Sequence, residues 1–164
     1  MEGKHLPNRR TTRLTNYDYS SEDLYFITIC SEGFKSTFGD IINQKIKLSI
    51  LGRIVNDVWN NLTSRFNNIV LHEFVIMPNH IHGIIEIKNH GECTLGEIIG
   101  AFKSLTTLKY IKVIKQNNLT PFDRRVWQKN YFEHIIRGSK SHEKIAAYII
   151  ENPIYWDDDR YYIK

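Results

Sequence analysis

The chain has 164 residues, of which 41% are hydrophobic and 12% aromatic. This length and composition predict one globular domain with a sizeable core and exclude a largely disordered protein. The net charge of +4 permits a polyanionic partner such as a nucleic acid. No apolar run approaches the ~20 residues that span a bilayer, and the two cysteines lack the spacing of a metal motif. We therefore predict a cytoplasmic protein without disulfides or membrane contact.

Residues 1–23 are polar and contain an arginine cluster, so we interpret them as a basic N-terminal arm that precedes a single domain over residues 24–164. Within that domain, runs of β-branched and aromatic residues predict four main strands, at 24–30, 69–77, 80–87 and 131–138. A small hairpin is predicted at 38–49, turning near Asn43–Gln44. Apolar residues at helical spacing predict three helices, at 50–66, 94–118 and 139–152.

Two helix starts carry recognisable capping signals. Thr94 and Glu97 stand in capping-box register, and Ser139 or Ser141 is expected to cap the last helix. The element order strand–helix–strand–strand–helix–strand predicts an α+β fold, the ferredoxin-like split βαβ sandwich, in which an antiparallel sheet has helices packed on one face. The other face is then either covered by something else or used for function.

The segment "MPNHIHGIIEI" places two histidines one residue apart in an apolar run. In a strand, His80 and His82 point to the same face. A buried imidazole requires a hydrogen-bond partner, whereas neutral imidazole is a common metal ligand. The alternative is that both are simply polar positions on an exposed face of the sheet.

The last predicted helix carries a second polar pair. Tyr148 and Asn152 are four residues apart, so they lie one turn apart on one face. They flank an apolar stripe that we expect to contain Ile145, Ala146, Ile149 and Ile150. Because Pro153 follows, Asn152 is also compatible with a simple helix terminus.

Three ordered motifs, "MPNHIHG", "VWQKNYFEHIIRG" and "YIIENP", resemble the HUH-type single-tyrosine transposases, and most closely the REP-associated tyrosine transposase branch of the IS200-like superfamily. The resemblance extends from about Arg9 to Trp156. It implies cleavage and rejoining of single-stranded DNA at hairpin-forming repeats, with Mg²⁺ or Mn²⁺ held by His80, His82 and Asn152. By the same likeness, Tyr148 is the nucleophile that forms a 5′-phosphotyrosine intermediate.

If that implication holds, basic residues must contact the DNA backbone, and we expect this of the N-terminal cluster and of residues close to the last strand and helix. These are Arg9, Arg10, Arg13, Arg124, Arg125, Lys129, Arg137, Lys140 and Lys144. The partner would be single-stranded or hairpin DNA, bound by a monomer, with a homodimer as the alternative. His134 also matches the family pattern, and burial, DNA contact and metal ligation all stay open for it.

Two other functions are compatible with these residues. The first is a ferredoxin-like nucleic-acid-binding module without cleavage activity. The second is a metal hydrolase that uses the histidine pair without a tyrosine nucleophile. Such hydrolases usually have further ligands close by in the sequence, and between Gly83 and Asn89 only Glu86 is available, which disfavours this interpretation.

Overall fold

The computed structural model describes residues 15–163. The predicted DNA contacts Arg9, Arg10 and Arg13 lie outside the described residues. The strands are β1 (Leu24–Cys30), β2 (Gly39–Ile42), β3 (Lys45–Leu48), β4 (Ile69–Ile76), β5 (His80–Ile87) and β6 (Phe132–Ile136). The α-helices are α1 (Ile50–Asn60), α2 (Leu95–Asn117) and α3 (Ser139–Glu151). None of the described helices combines the length and apolar character needed to cross a bilayer.

The main sheet has the strand order β4-β5-β1-β6, and every neighbouring pair is antiparallel. Together with α1 and α2, these strands form the split βαβ arrangement, so the predicted ferredoxin-like fold is confirmed. Strands β1 and β5 occupy the centre of the sheet. The histidine pair therefore lies on a strand that is hydrogen-bonded on both sides.

Local sequence signals explain several element boundaries. Asn43 and Gln44 have φ angles of 49° and 61°, the left-handed conformation that a two-residue hairpin turn requires. Thr94 and Glu97 form the predicted capping box at the start of α2. Helix α1 ends at Asn60, six residues earlier than expected. The Asn61 side chain there donates to the carbonyl of Asp57, which competes with helix continuation.

Two expectations for α3 are wrong. Its N-cap is Gly138, with a φ of 84° and no side-chain cap, so neither serine caps the helix. Ile150 is 66% exposed and does not belong to the buried stripe. Ile149 is the one fully buried residue of α3, and it packs with Ile84 and Ile136.

The two faces of β5 have different neighbours. Ile81, Ile85 and Ile87 enter the core with α1 and α2, and a side chain at Gly83 would collide with Trp59. Since side chains alternate along a strand, His80 and His82 point to the opposite face, where α3 packs. That face is covered: His80 is 0% and His82 1% exposed. The alternative of two solvent-facing histidines is therefore wrong.

Tyr17 and Tyr19, which precede β1, pack against the main core. The carbonyl of Tyr19 accepts a hydrogen bond from the Leu95 amide at the start of α2. Residues at the end of the expected basic arm thus contribute to the packing of the domain.

Candidate active site

The two histidine rings are held with one nitrogen of each facing the other. His80 Nε2 lies 3.0 Å from His82 Nε2. His80 Nδ1–H donates to Asn79 Oδ1 at 2.9 Å. The Asn79 Oδ1 atom must be the acceptor in this bond, because the Nδ2 group of the same amide donates to the carbonyls of Phe34 and Tyr161, at 3.2 and 2.7 Å. These bonds fix the His80 tautomer and leave its Nε2 unprotonated, with the lone pair facing His82 Nε2.

His82 Nδ1 lies 2.8 Å from the Thr28 hydroxyl, which is itself buried. A histidine that binds a metal through one nitrogen usually donates its other N–H to such a partner. Two ligands at right angles around a cation, with bonds of about 2.1 Å, would be about 3.0 Å apart. The observed separation of the two Nε2 atoms therefore fits a shared cation.

Burial controls the protonation of this pair. It lowers the pKa of His80 to about 4, an effect that Asp159 opposes and Arg160 reinforces. Burial also lowers the pKa of His82 well below its usual value, and the charges of His80 and Arg160 act in the same direction. Both imidazoles are thus neutral at pH 7, the form that can bind a metal.

Tyr148 lies beside the pair, with its hydroxyl 3.2 Å from His82 Nε2. Its ring stands edge-on to Phe26, with centroids 6.3 Å apart, and the side chain remains 42% exposed. Burial raises the pKa of Tyr148, and Asp159 adds to this effect. The hydroxyl is therefore protonated at pH 7 and still reachable from solvent.

Oxygen ligands for a cation are available next to the histidines. Asn152 is 3% exposed, its Nδ2 donates to Asp159 Oδ2 at 3.0 Å, and its Oδ1 is buried without a hydrogen-bond partner. One potential ligand atom from each of His80, His82 and Asp159 lies within 4.8 Å of the others. Two imidazoles, an unpaired amide oxygen and a carboxylate form a donor set that fits a divalent cation.

The C-terminal segment completes the site. The Tyr161 ring lies 4.5 Å from the His80 ring, and the Arg160 guanidinium is 5.9 Å from the Phe132 ring and 4.6 Å from the Tyr161 ring. An open cavity of about 360 Å³ runs from Tyr148 along this segment to Asp159 and Arg160. None of these C-terminal residues was predicted as part of the site, and the acidic run at 157–159 was their one signal in the sequence.

The predicted DNA contacts within the described residues are all exposed, namely Arg124, Arg125, Lys129, Arg137, Lys140 and Lys144. Lys140 and Lys144 lie on α3 and so share this helix with Tyr148, and Arg137 lies two residues before its start. Arg125 instead pairs with Glu32 at 3.4 Å. His134 is exposed and belongs to neither of the two clusters of potential metal ligands found among the described residues.

Residues 40–152 match the model of one protein family, that of the IS200-like transposases. The chain belongs to this family. A curated relative supports the extent of the likeness: an uncharacterised protein of Haemophilus influenzae is 42% identical, and the match covers 96% of this chain and 95% of the relative. The family match includes the histidine pair, Tyr148 and Asn152, whereas Asp159 and Arg160 follow its end.

Solved structures of two proteins resemble this IS200-like transposase in fold. One is a REP-associated tyrosine transposase bound to a REP hairpin, with a TM-score of 0.63 and 17% identity, covering 88% of this chain and 74% of the other. The second is a transposase candidate from Deinococcus radiodurans R1, with a TM-score of 0.53 and 13% identity, covering 86% of this chain and 96% of the other. At such identities the likeness extends to the fold.

Proposed function

We propose that this transposase is a metal-dependent single-strand DNA endonuclease and strand transferase that uses Tyr148 as its nucleophile. The observation that carries the proposal is the convergence of three side chains from two elements. The Tyr148 hydroxyl on α3 lies 3.2 Å from His82 Nε2 on β5, which in turn lies 3.0 Å from His80 Nε2. A nucleophile next to a candidate metal site is the arrangement that phosphoryl transfer requires.

In the proposed reaction, the Tyr148 oxygen forms a bond to the scissile phosphorus, and the bond from phosphorus to the 3′ oxygen breaks. The phenol loses its proton, and the departing oxygen gains one to become a 3′-OH, while the 5′ end stays attached to the enzyme as a phosphotyrosine. Because the covalent bond retains the phosphodiester linkage, a 3′-OH can later reverse the reaction and rejoin DNA.

His80, His82 and the oxygens of Asn152 and Asp159 would hold the cation, for which we propose Mg²⁺ or Mn²⁺. When bound, such a cation neutralises charge on the phosphate oxygens. Asn79 and Thr28 hold the imidazoles through their other nitrogens. The role of these two residues is to keep both Nε2 atoms pointing at the same position.

For the substrate, we propose hairpin-forming DNA with single-stranded flanks, because a protein of similar fold was solved bound to a REP hairpin. Arg137, Lys140 and Lys144 would contact phosphates close to Tyr148. Exposed Phe132 beside Arg160 would stack an unpaired base. Since one chain supplies every proposed catalytic residue, we propose that the protein acts as a monomer.

The test is covalent capture. Wild-type protein is incubated with end-labelled hairpin DNA and Mg²⁺ or Mn²⁺, and the products are separated on a denaturing gel. We expect an adduct to the 5′ end of the downstream product, mapped to Tyr148 by peptide analysis. Tyr148→Phe removes only the hydroxyl and should eliminate the adduct, as should His80→Gln or His82→Gln.

Tyr155→Phe is the matched control, because Tyr155 is an exposed tyrosine that lines the same cavity, and it should form the adduct normally. DNA binding by Tyr148→Phe should survive and weaken with salt, because the basic residues are unchanged. An adduct on another tyrosine would refute the assignment of Tyr148. If no adduct forms with either metal, the non-catalytic binding module is the correct function.

A further inference from the structure

A second cluster of potential metal ligands lies on β4, on the α3 side of the sheet. The pairing between β4 and β5 shifts register between Leu71 and Phe74. This β-bulge inserts His72 and Glu73 between two residues that both point into the core, and a bulge of this kind redirects side chains. His72 and Glu73 both reach His142 in the first turns of α3, and one potential ligand atom from each of the three lies within 4.8 Å of the others.

Two buried polar atoms of this cluster have no hydrogen-bond partner. His142 Nε2 lies 3.5 Å from Glu73 Oε2, but the two atoms do not form a hydrogen bond, and both are buried without any other partner. Leaving such atoms unpaired costs about 1–3 kcal/mol each. A hydrogen-bonded pair would be closer, at about 2.7–2.9 Å.

The separation does suit two ligands of one cation. Bonds of about 2.1 Å at tetrahedral angles place two ligand atoms about 3.4 Å apart. His72 is already oriented for such a role, since its Nε2 lies 2.8 Å from Glu86 Oε2, which leaves Nδ1 for the cation. A carboxylate on the second nitrogen of a metal-binding histidine is a common supporting contact, and Lys88 holds Glu86 from its other oxygen.

We infer that His72, Glu73 and His142 bind a transition-metal cation of the zinc class, at a site separate from the candidate active site. Two imidazoles and one carboxylate at a tetrahedral separation suit Zn²⁺. The candidate active site differs, because it adds the amide oxygen of Asn152 and holds its two imidazole nitrogens at the right-angled separation of an octahedral cation such as Mg²⁺. The inference does not depend on the proposed function, because none of its ligands takes part in the proposed reaction.

Such a cation would connect the start of α3 to the edge strand of the sheet. The helix needs this support: Gly138 gives it no side-chain cap, and Ile149 is its one fully buried residue. Tyr148 follows His142 by six residues, about 9 Å along the helix. Binding at His142 would therefore restrain the helix that positions the proposed nucleophile.

The probe is Zn²⁺ alone, added to chelator-treated full-length protein, with bound equivalents counted by equilibrium dialysis. We expect His142→Gln to bind one equivalent fewer than wild type. In a His80→Gln/His82→Gln background, which removes the candidate active site, one equivalent should remain and should disappear when His142→Gln is added. Zn²⁺ should raise the melting temperature of the double variant and not that of the triple variant.

His90→Gln is the matched control, because His90 also contacts a carboxylate, Asp18, at 2.8 Å, but belongs to no cluster of three potential ligands among residues 15–163. It should retain every equivalent. Glu86→Gln should weaken binding about 10- to 100-fold, as expected for the loss of a supporting contact. The inference would be overturned if His142→Gln bound as many Zn²⁺ equivalents as wild type, or if His90→Gln lost one. The cluster would then consist only of two histidine–carboxylate contacts, His72 with Glu86 and His142 with Glu73. If the double variant does not fold, the comparison of wild type with His142→Gln decides by itself.

Discussion

Gly83 follows the histidine pair on β5, and Gly83→Ala is the sharpest test of how the sheet packs. A Cβ at this position would lie 2.5 and 2.6 Å from two atoms of the Trp59 ring. Ordinary contact requires about 3.5 Å, so the ring would have to retreat by about 1 Å. It has no free space, because it stacks on Phe74 with centroids 4.3 Å apart and meets Phe102 edge-on at 5.7 Å.

Overpacking of this kind costs about 1–3 kcal/mol, and replacing glycine in a strand returns about 0.5–1 kcal/mol of backbone entropy. We therefore expect Gly83→Ala to lower the free energy of unfolding by about 1–2 kcal/mol, measured by urea denaturation. The melting temperature should fall by about 2–8 °C. Gly100→Ala on α2 is the control: a Cβ there meets nothing within 4 Å, so this change should be neutral or stabilising.

A double-mutant cycle identifies the clash as the cause. Trp59→Phe removes the two ring atoms that the new Cβ would approach, so adding Gly83→Ala to that variant should cost almost nothing. The coupling energy between the two changes should then be about 1 kcal/mol or more. If the single variant Gly83→Ala, which keeps Trp59, is as stable as wild type, the Trp59 ring does not limit the space at Gly83.

Two further predictions concern stability. Burial lowers the pKa of His80 to about 4, and it lowers that of His82 as well. In the unfolded chain both histidines have the ordinary pKa of about 6.5. Below this pH the unfolded chain therefore binds more protons than the folded protein does. The contribution of the two histidines to the free energy of unfolding should thus be constant above this pH and fall towards pH 4 by up to about 1.4 kcal/mol per pH unit per histidine. A variant that lacks both histidines should lose this part of the slope. Thr94→Ala breaks the capping box with Glu97 and should lower the free energy of unfolding by about 1 kcal/mol. The control Thr107→Ala, within α2, should leave it unchanged. If both changes have the same effect, loss of the cap is not the cause.

Features set by neighbouring residues were predictable from the sequence. The hairpin turn at Asn43–Gln44 and the capping box of Thr94 with Glu97 depend on side chains a few residues apart. The strand and helix order follows from apolar periodicity, and it was sufficient to predict the ferredoxin-like sheet. The position of Tyr148 next to the histidine pair also agrees with the resemblance on which the prediction was based.

Features that depend on distant or irregular contacts were not predictable. Asp159 reaches the histidines only because the chain after α3 folds back across the sheet. The tautomer of His80 depends on Asn79, which is oriented by carbonyls of Phe34 and Tyr161. The bulge at His72 breaks the alternation of β4, yet nothing local indicates that its side chains meet a residue on α3.

The histidine pair and the proposed nucleophile lie on elements of different local stability. β5 is paired on both sides in the middle of the sheet, so its amide protons should exchange with solvent chiefly when the whole domain unfolds. α3 buries one residue fully and has no side-chain cap, so its amides should exchange through local opening at a lower free energy. Local opening of α3 would displace Tyr148 together with Asn152 and leave the two histidines in place. Substitutions on the exposed side of α3 should therefore lower the rate of the proposed reaction while the histidine pair keeps its geometry.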